Sequence, residues 1–376
     1  MRNDNIPENE KDNLVREKSD KMELEEDDNI YGEKNEENKN MKNINIIHKD
    51  DYSKTESILK LLRDVSPKII ENYEIKECIG SGSESVVFKI IFKKTNKPYA
   101  MKIIFTEKSK KRNINELIIS NKFKHNNIIK FYGLYEIQKN KIDSIIMEYA
   151  KFGNLRDFKK KVLKRDVLSE QLLCFLAFQI LNGIKHCHAC KIVHSDLKPQ
   201  NIIIDEFLNI KIIDFSVSLD YSNVNSSRIK FPFRGTNFYM PPEVIKSKTI
   251  DVKDLNKIDL YSLGVILYNL AFDTYPYNLN REDCNNYDKI YEKITKNQLT
   301  FNNEENHYSK YFIDILKQLL EKDINKRINI NLALNHYWTK GANILFDEKE
   351  KIFNASSFLI YLLTDHFQNY DKYINL

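Results

Sequence analysis

The stretch that most constrains this chain is Lys191 to Ser216, KIVHSDLKPQNIIIDEFLNIKIIDFS. Asp196 and Asp214 flank two short β-branched runs, Ile202 to Ile204 and Ile210 to Ile213, and runs of that kind form buried strands. The runs predict a hairpin. Lys198 and Asn201 follow Asp196 closely, and Asp214 stands where the hairpin ends. Phosphoryl transfer from Mg-ATP asks for this set: one carboxylate takes the proton of the attacking hydroxyl, a cation offsets charge on the moving group, and an amide with a second carboxylate holds metal.

Length and composition narrow the setting of that stretch. With 376 residues there is room for two or three domain-sized units, or one large two-lobed domain with extensions. A net charge of +5, from 59 basic and 54 acidic residues, is too balanced to argue for nucleic acid or a membrane surface as the main partner. Five cysteines, an odd number in a long chain, do not make a disulfide framework and point to a reducing compartment. The expected location is the cytoplasm, with nuclear entry left open. The opening MRNDNIPENE has no apolar signal core, Arg2 stands where N-myristoylation needs glycine, and no apolar run reaches the length of a membrane span.

Residues 1 to 52 mix Asn, Asp, Glu and Lys with scattered apolar residues, too few to offset chain entropy, so a disordered tail is expected. In the lead-in of residues 53 to 72, Ile58, Leu59, Leu61, Leu62 and Val65 fall at helical spacing before Pro67 ends the run. That helix packs on the following domain, or docks a regulatory protein. Tyr73 to Ile104 reads as three strands, with Gly80-Ser81-Gly82-Ser83-Glu84-Ser85 turning between the first two. Glycines there let backbone amides approach phosphate oxygens, since no Cβ intervenes. Lys108 to Lys124 has the spacing of an amphipathic helix with Ile114, Leu117, Ile118 and Phe123 on its apolar side, and Ile142 to Ala150 reads as a buried strand ending in a linker. Leu168 to Cys190 is apolar nearly all round and predicts a buried helix. Its end, His186-Cys187-His188-Ala189-Cys190, invites a zinc reading, but a structural zinc site wants four tetrahedral ligands, and packing is the better account. An apolar stretch around Ile352 to Phe367 predicts a C-terminal helix that packs on the body of the protein or meets a partner.

The central stretch resembles the catalytic and metal-binding loops of eukaryotic protein kinases, whose signatures are H-R-D-L-x-x-x-N and D-F-G. It departs at two places: His194-Ser195-Asp196 has Ser for Arg, and Asp214-Phe215-Ser216 has Ser for Gly. The resemblance extends in order through the glycine loop, whose third glycine is Ser85, Ala100-Met101-Lys102, Glu116 with His125-Asn126-Asn127-Ile128, and the Met147 to Gly153 linker. It continues through Gly235-Thr236 to Pro241-Pro242-Glu243, Asp259 to Gly264, Arg327 and His336-Tyr337-Trp338.

What the resemblance implies is an α+β, bilobal protein-kinase fold over residues 73 to 338, with a β-rich lobe (73 to 148), a helical lobe (149 to 338) and a C-terminal helical extension (339 to 376). ATP with Mg²⁺ would occupy the cleft. Asp196 would position and deprotonate the acceptor, Lys198 neutralise charge, Asn201 and Asp214 hold the metal, and Lys102 with Glu116 fix the phosphates. Ile79, Gly80, Ser81, Gly82, Ser83, Val87, Ala100, Met147, Glu148, Ala150 and Ile203 would complete the nucleotide site, Met147 guarding its back and the Glu148 to Ala150 backbone meeting adenine. Arg327 would be the buried partner of Glu243. Lys198 and Gly235-Thr236 are similar to the serine/threonine class, acting on protein substrates, and the Asp214 to Ser218 run with the 260 to 338 region looks most like the kinases that activate other kinases in the calcium/calmodulin-dependent kinase-kinase group. Asn154 and Gln200, where basophilic kinases carry acids, imply no strong selection of arginine upstream of the acceptor. The alternative is a pseudokinase scaffold or allosteric binding module, favoured by Ser85, Ser195 and Ser216; a kinase-fold enzyme acting on a small metabolite is disfavoured by Thr236 and Glu243.

Overall fold

Alternation of apolar and polar residues builds the first half of the fold. The computed structural model describes residues 67–81, 85–104, 116–137, 142–231, 236–247, 249–284, 286–301 and 308–340, with the backbone of 346–347 and 352–353. These belong to one unit spanning Ile47–Leu376. Helix α1 (Pro67–Asn72) leads into β1 (Tyr73–Ser81), β2 (Ser85–Phe92) and β3 (Lys97–Ile104). A short helix α2 (residues 116–120) precedes β4 (Phe131–Ile137) and β5 (Ile142–Glu148). The five strands make one antiparallel sheet in the order β1-β2-β3-β5-β4.

Cross-strand partners share a face, so the register sorts the side chains. Val86, Phe88, Ile90, Met101, Ile103 and Ile146 pack together on one face, and Ile69 of α1 joins them. The other face carries Val87 opposite Lys102 and Ala100 opposite Met147. Between Cys78 and Gly80 the β1 register shifts by a bulge, which brings Gly80 opposite Val87.

Pro67 stands at the start of α1, a position where its missing N–H has no intrahelical partner to lose; the helix expected over Ile58 to Val65 lies outside the described residues. One local expectation is corrected here. On α2 the inward residues are Glu116, Ile119 and Ser120, whereas Ile118 is 57% exposed. An apolar-periodicity reading reserves the inward face for hydrophobic residues, but here a carboxylate occupies it, paired with Lys102 of β3. Ile114 lies outside the described part.

Beyond the linker, the chain turns helical. Asn154 caps α3 (Leu155–Asp157), accepting from the Asp157 N–H, and a π-turn (Phe158–Val162) follows. Helix α4 (Glu170–Ala189) starts at the Ser169 cap. Then come β6 (Ile192–Val193), the hairpin of β7 (Ile202–Ile204) and β8 (Ile210–Ile212), β9 (Leu219–Asp220) and β10 (Arg228–Lys230). Helix α5 (Pro242–Lys246), β11 (Thr249–Asp251) and α6 (Lys257–Phe272) follow, with α7 (Tyr287–Lys296), α8 (Lys310–Leu319), α9 (Ile330–Asn335) and α10 (Tyr337–Lys340) closing this half. Helices α4 and α6 are buried nearly all round and form the axis of the main hydrophobic core. Their contact with neighbours is close: a Cβ on Gly264 would lie 2.9 Å from the Leu319 Cβ, so α6 and α8 approach as near as backbone allows.

In the tail, β12 (Phe346–Asp347) pairs with β13 (Ile352–Phe353). The expected helix is therefore a strand at its first two residues, in keeping with the β-preference of Ile and Phe; residues 354–376 lie outside the described part. Among the described residues, no helix is long and apolar enough to cross a membrane.

Candidate active site

The loop from His194 to Asn201 is positioned from beneath by one carboxylate. Asp259, in the first turn of α6, is fully buried and accepts from the His194 N–H at 2.9 Å, the Ser195 N–H at 3.0 Å and the His188 ring at 2.9 Å. Burial alone would raise its pKa, but these bonds outweigh it and hold the carboxyl below its ordinary range. His188 is thus part of the loop anchor, and among the described residues no three or more His, Cys, Asp or Glu come together in a group that could hold a metal ion. Ser195 adopts a left-handed backbone, φ 69°, which is strained for a side chain with a Cβ. Asp259 clamps that turn in place. The His194 ring reaches the Ile213 carbonyl at 2.9 Å, and the Ser218 hydroxyl donates to the His194 carbonyl at 3.1 Å, so the loop and the end of the β7–β8 hairpin are joined.

Held this way, Asp196 meets three partners. Lys198 Nζ lies 2.6 Å from Oδ2, the Thr236 hydroxyl donates to Oδ1 at 2.8 Å, and Asn201 Nδ2 reaches Oδ2 at 3.2 Å and the Asp196 carbonyl at 2.9 Å. Lys198 Nζ also donates to the Thr236 oxygen at 2.8 Å, closing a Lys-Asp-Thr triangle across two distant segments. With its nitrogen on Asp196, the Asn201 amide turns its oxygen away as a free acceptor.

A second charged group hangs from the sheet. Lys102 Nζ lies 2.9 Å from Glu116 Oε2. Burial pushes the Glu116 carboxyl up, and Lys102 with the Phe215 N–H offsets only part of that. Phe215 is fully buried, its ring 4.9 Å from those of Phe123 and His194, so the residue after Asp214 is locked inward. Asp214 itself has a left-handed φ of 66°. Burial raises its pKa, but Lys102, the Ser216 hydroxyl at 2.6 Å, His194 and Lys198 together bring it below the ordinary range. Asp214 is held ionised, which suits a cation ligand. Ser216 is not among the positive-φ residues, so its turn does not require glycine.

The metal and nucleotide fit can be tested on these atoms. The Ile213 N–H donates to the Asn201 carbonyl at 3.0 Å, which places Asn201 beside Asp214. One amide oxygen and one ionised carboxylate are the hard donors that Mg²⁺ takes alongside phosphate oxygens and water. Val87, Ala100 and Met147 share the sheet face that carries Lys102. In the helical half, Ile203 of β7 bridges to Asn154, and Phe152 and Gly153 exchange backbone bonds with Ile204, so the linker lies against β7. The Glu148 N–H donates to the Lys130 carbonyl, and its side chain pairs with Lys211 at 2.9 Å; the turn after it uses the Ala150 carbonyl rather than its N–H. Ile79, Gly80 and Ser81 lie at the end of β1, while Gly82, Ser83 and Glu84 lie outside the described part. Donors and apolar walls fit a magnesium nucleotide.

The segment after Ser216 is tied in two places. Leu219 and Asp220 pair with Val193 and Ile192, and Asp220 forms an ion pair with Lys122. Further on, β10 pairs antiparallel with β11, Arg228 opposite Asp251, with their side chains 3.0 Å apart. Neither β10 nor β11 was expected; a run as polar as Ser226 to Lys230 carries no strand alternation. The close of this segment is anchored by Glu243, which receives a two-pronged bond from Arg327 at 2.6 and 3.0 Å. Thr236 was visible in the sequence only through its resemblance, and the Ser216 hydroxyl bond to Asp214 was not visible at all.

With this geometry in place, the comparisons are concordant. The protein kinase domain family matches residues 73–339. The chain is 31% identical over 275 residues to the SNF1-related protein kinase catalytic subunit alpha KIN12 of Arabidopsis thaliana, covering 72% of this chain and 52% of the relative. It is 30% identical over 295 residues to a serine/threonine-protein kinase H1 homolog of Danio rerio, covering 76% and 66%. It is 32% identical over 277 residues to calcium-dependent protein kinase 5 of Plasmodium berghei (strain Anka), covering 71% and 45%. The chain thus spans about half the length of several curated relatives it matches. A family match over most of the chain, lying on a site whose parts meet as described, places the chain in the protein kinase domain family.

Proposed function

We propose that the protein transfers the γ-phosphoryl group of Mg-ATP to serine or threonine hydroxyls of protein substrates. The observation that carries this reading is the closed triangle of Asp196, Lys198 and Thr236 beside an ionised Asp214. Asp196 takes the proton of the acceptor hydroxyl as its oxygen bonds to the γ-phosphorus and the bond to the bridging oxygen of ADP breaks. Lys198 offsets charge on the moving group, and Lys102, fixed by Glu116, holds the phosphates. Asn201 and Asp214 would hold Mg²⁺, which when bound would neutralise phosphate charge. Two relatives named as serine/threonine-protein kinases support the substrate class, as does Thr236 in its place on Asp196. The finer likeness, to kinases that activate calcium/calmodulin-dependent kinases, rests on the Asp214 to Ser218 run. A regulatory protein on residues 53–72 or on the C-terminal tail is a separate proposal.

The full chain incubated with Mg-ATP and casein should transfer phosphate, and Asp214→Asn should not. Equal incorporation by both proteins, or none by either, would return the reading to a scaffold that keeps the fold without the chemistry.

A further inference from the structure

One pocket in the helical half is not used by the chemistry above. It has a volume of about 210 Å³ and is walled on one side by Pro199 and Gln200 of the catalytic loop and by Tyr239. Gln200 stands two residues beyond Lys198, and Tyr239 three beyond Thr236, the two side chains that clasp Asp196. The same two segments therefore hold the catalytic carboxylate and form the pocket. An extended chain advances about 3.3 Å per residue, so a peptide presenting a hydroxyl to Asp196 reaches this pocket within a few residues.

The charge around it is one-sided. Four cations line it, Arg156, Lys159, Lys160 and Arg281, against one carboxylate, Asp273. That carboxylate is spent, because the buried Lys159 donates to it at 2.7 Å. Among the described residues, Arg156, Lys160 and Arg281 have no carboxylate partner. Asp157, next to Arg156, is engaged by Lys161 and the Asn154 amide. Gln200, half-buried at the pocket wall, keeps its Oε1 turned into the protein with no hydrogen-bond partner among the described residues. With no bond holding that oxygen in place, the amide is free to reorient and present its N–H₂ donor to an anion in the pocket. Asn154, the other neutral position near the linker, is occupied as the cap of α3 and is not part of the pocket.

We infer that this pocket reads an anionic side chain of the protein substrate, a carboxylate or a phosphate, at a fixed offset from the acceptor hydroxyl. Arg156, Lys160 and Arg281 supply the charge and the Gln200 amide the directed bond. The inference rests on the phosphotransfer reading above and adds to it a substrate class: acidic or already phosphorylated sequences. Charge-assisted bonds of this kind are the strong ones, and two of them correspond to a preference of about tenfold or more.

The test is a positional peptide library around one serine, phosphorylated by the full chain with Mg-ATP, with each flanking position occupied in turn by Asp, Glu, phosphoserine, Ala or Arg. The expected result is one offset at which an anion raises kcat/KM about tenfold over Ala, with the ratio collapsing toward unity in the triple Arg156→Ala, Lys160→Ala, Arg281→Ala protein. Charge reversal, Lys160→Glu with Arg281→Glu, should turn the preference at that offset toward Arg. Selection of phosphoserine but not Asp or Glu assigns the pocket to previously phosphorylated substrates; selection of all alike assigns it to acidic sequences. A flat or arginine-dominated profile in a library that is phosphorylated overturns the pocket assignment alone. No transfer to any peptide or to casein overturns the assignment together with the reading on which it rests.

Discussion

The catalytic loop and the segment that follows Ser216 both keep an irregular backbone in place, but by opposite means. The loop from His194 to Asn201 is fastened from the core. Asp259, with no exposure, takes three bonds from His188, His194 and Ser195, and every polar atom of Asp196 is met by a neighbour. The later segment is fastened at the surface, by the short β10–β11 ladder and an Arg228–Asp251 pair whose side chains are 59% and 44% exposed. In the buried case charge is unscreened and removal of one partner strands the other; in the exposed case water and salt take over most of what a broken pair loses. Precision is built into the loop and adjustability into the segment. The same class of contact, carboxylate against donor, should therefore give very different effects on mutation.

The largest effect is expected at Asp259. Asp259→Asn leaves a neutral oxygen for one or two donors and introduces an N–H₂ among groups that already donate, so about 3 kcal/mol of stability should go, with the Ser195 turn released and activity lost. The pH dependence carries its own sign. A carboxyl held below its ordinary value in the folded state contributes stability that is fully present above that ordinary value and fades as pH falls through the lower, folded one. Denaturant unfolding of the wild type at pH 3 against pH 6 should show that loss, and the Asn variant should lack this share of it. An Asp259→Asn protein as stable and active as the wild type would break the comparison at its root.

Next come Asp196 and Asp214, to which the proposed reaction gives different tasks. Asp214→Asn should abolish Mg-dependent nucleotide binding together with activity, because the ionised ligand is gone. Asp196→Asn should leave nucleotide binding nearly intact and reduce turnover by about 100-fold or more, the range of a lost general base. Nucleotide affinity with and without Mg²⁺ in both variants separates the roles, and equal loss of binding in both would refute them.

How far these roles were legible in the sequence depends on what kind of signal each residue leaves. Asp196, Lys198, Asn201 and Asp214 lie close together in the chain, so their order announces the site, and the flanking isoleucines announce the hairpin that spaces them. The buried α4 and α6 were legible too, since a helix apolar on all sides has few other places to go. Glu116 was legible as a motif residue but misled the periodicity, for a carboxylate on an inward face moves the apolar stripe to Ile119 and leaves Ile118 exposed. What the sequence hides is pairing between distant polar segments: nothing in Arg228 to Lys230 foretells its strand partner at Thr249 to Asp251. The basic pocket is hidden for the same reason, its cations coming from residues 156 to 160 and 281.

A smaller effect sharpens the contrast inside the site. The Ser216 hydroxyl bonds to Asp214 at 2.6 Å, so the departure from glycine contributes a bond as well as a Cβ. Ser216→Ala should raise the Asp214 pKa by removing that donor and weaken Mg-nucleotide binding by about fivefold, the scale of about 1 kcal/mol for one hydrogen bond. Ser216→Gly loses the same bond and also gains backbone freedom. If titration calorimetry finds Ala equal to wild type but Gly weaker, the Cβ rather than the hydroxyl is what matters at this position.

The smallest effect is expected at the surface ladder, and it bears on regulation. In kinases with His-Arg-Asp, the arginine gives an activation-segment phosphate a fixed cation; Ser195 supplies none. The nearest cation on the segment, Arg228, is already paired with Asp251 at 3.0 Å, while Ser226 accepts the Arg228 N–H at 3.3 Å and the Ser222 N–H is bonded to Asp220. A phosphate on Ser226 or Ser227 would draw Arg228 from one exposed anion to another, and such an exchange is worth less than about 1 kcal/mol. The β10–β11 backbone bonds hold the segment whether or not that exchange occurs. A double-mutant cycle on Arg228→Ala and Asp251→Ala should accordingly give a coupling below about 1 kcal/mol. Phosphatase-treated protein, checked by intact mass, should keep most of its activity, as should the triple Ser→Ala variant at 222, 226 and 227. Loss of activity on dephosphorylation, restored by phosphate placed between Val217 and Arg234, would mean that the segment is not ordered by its own ladder and that a phosphate finds a cation beyond Arg228.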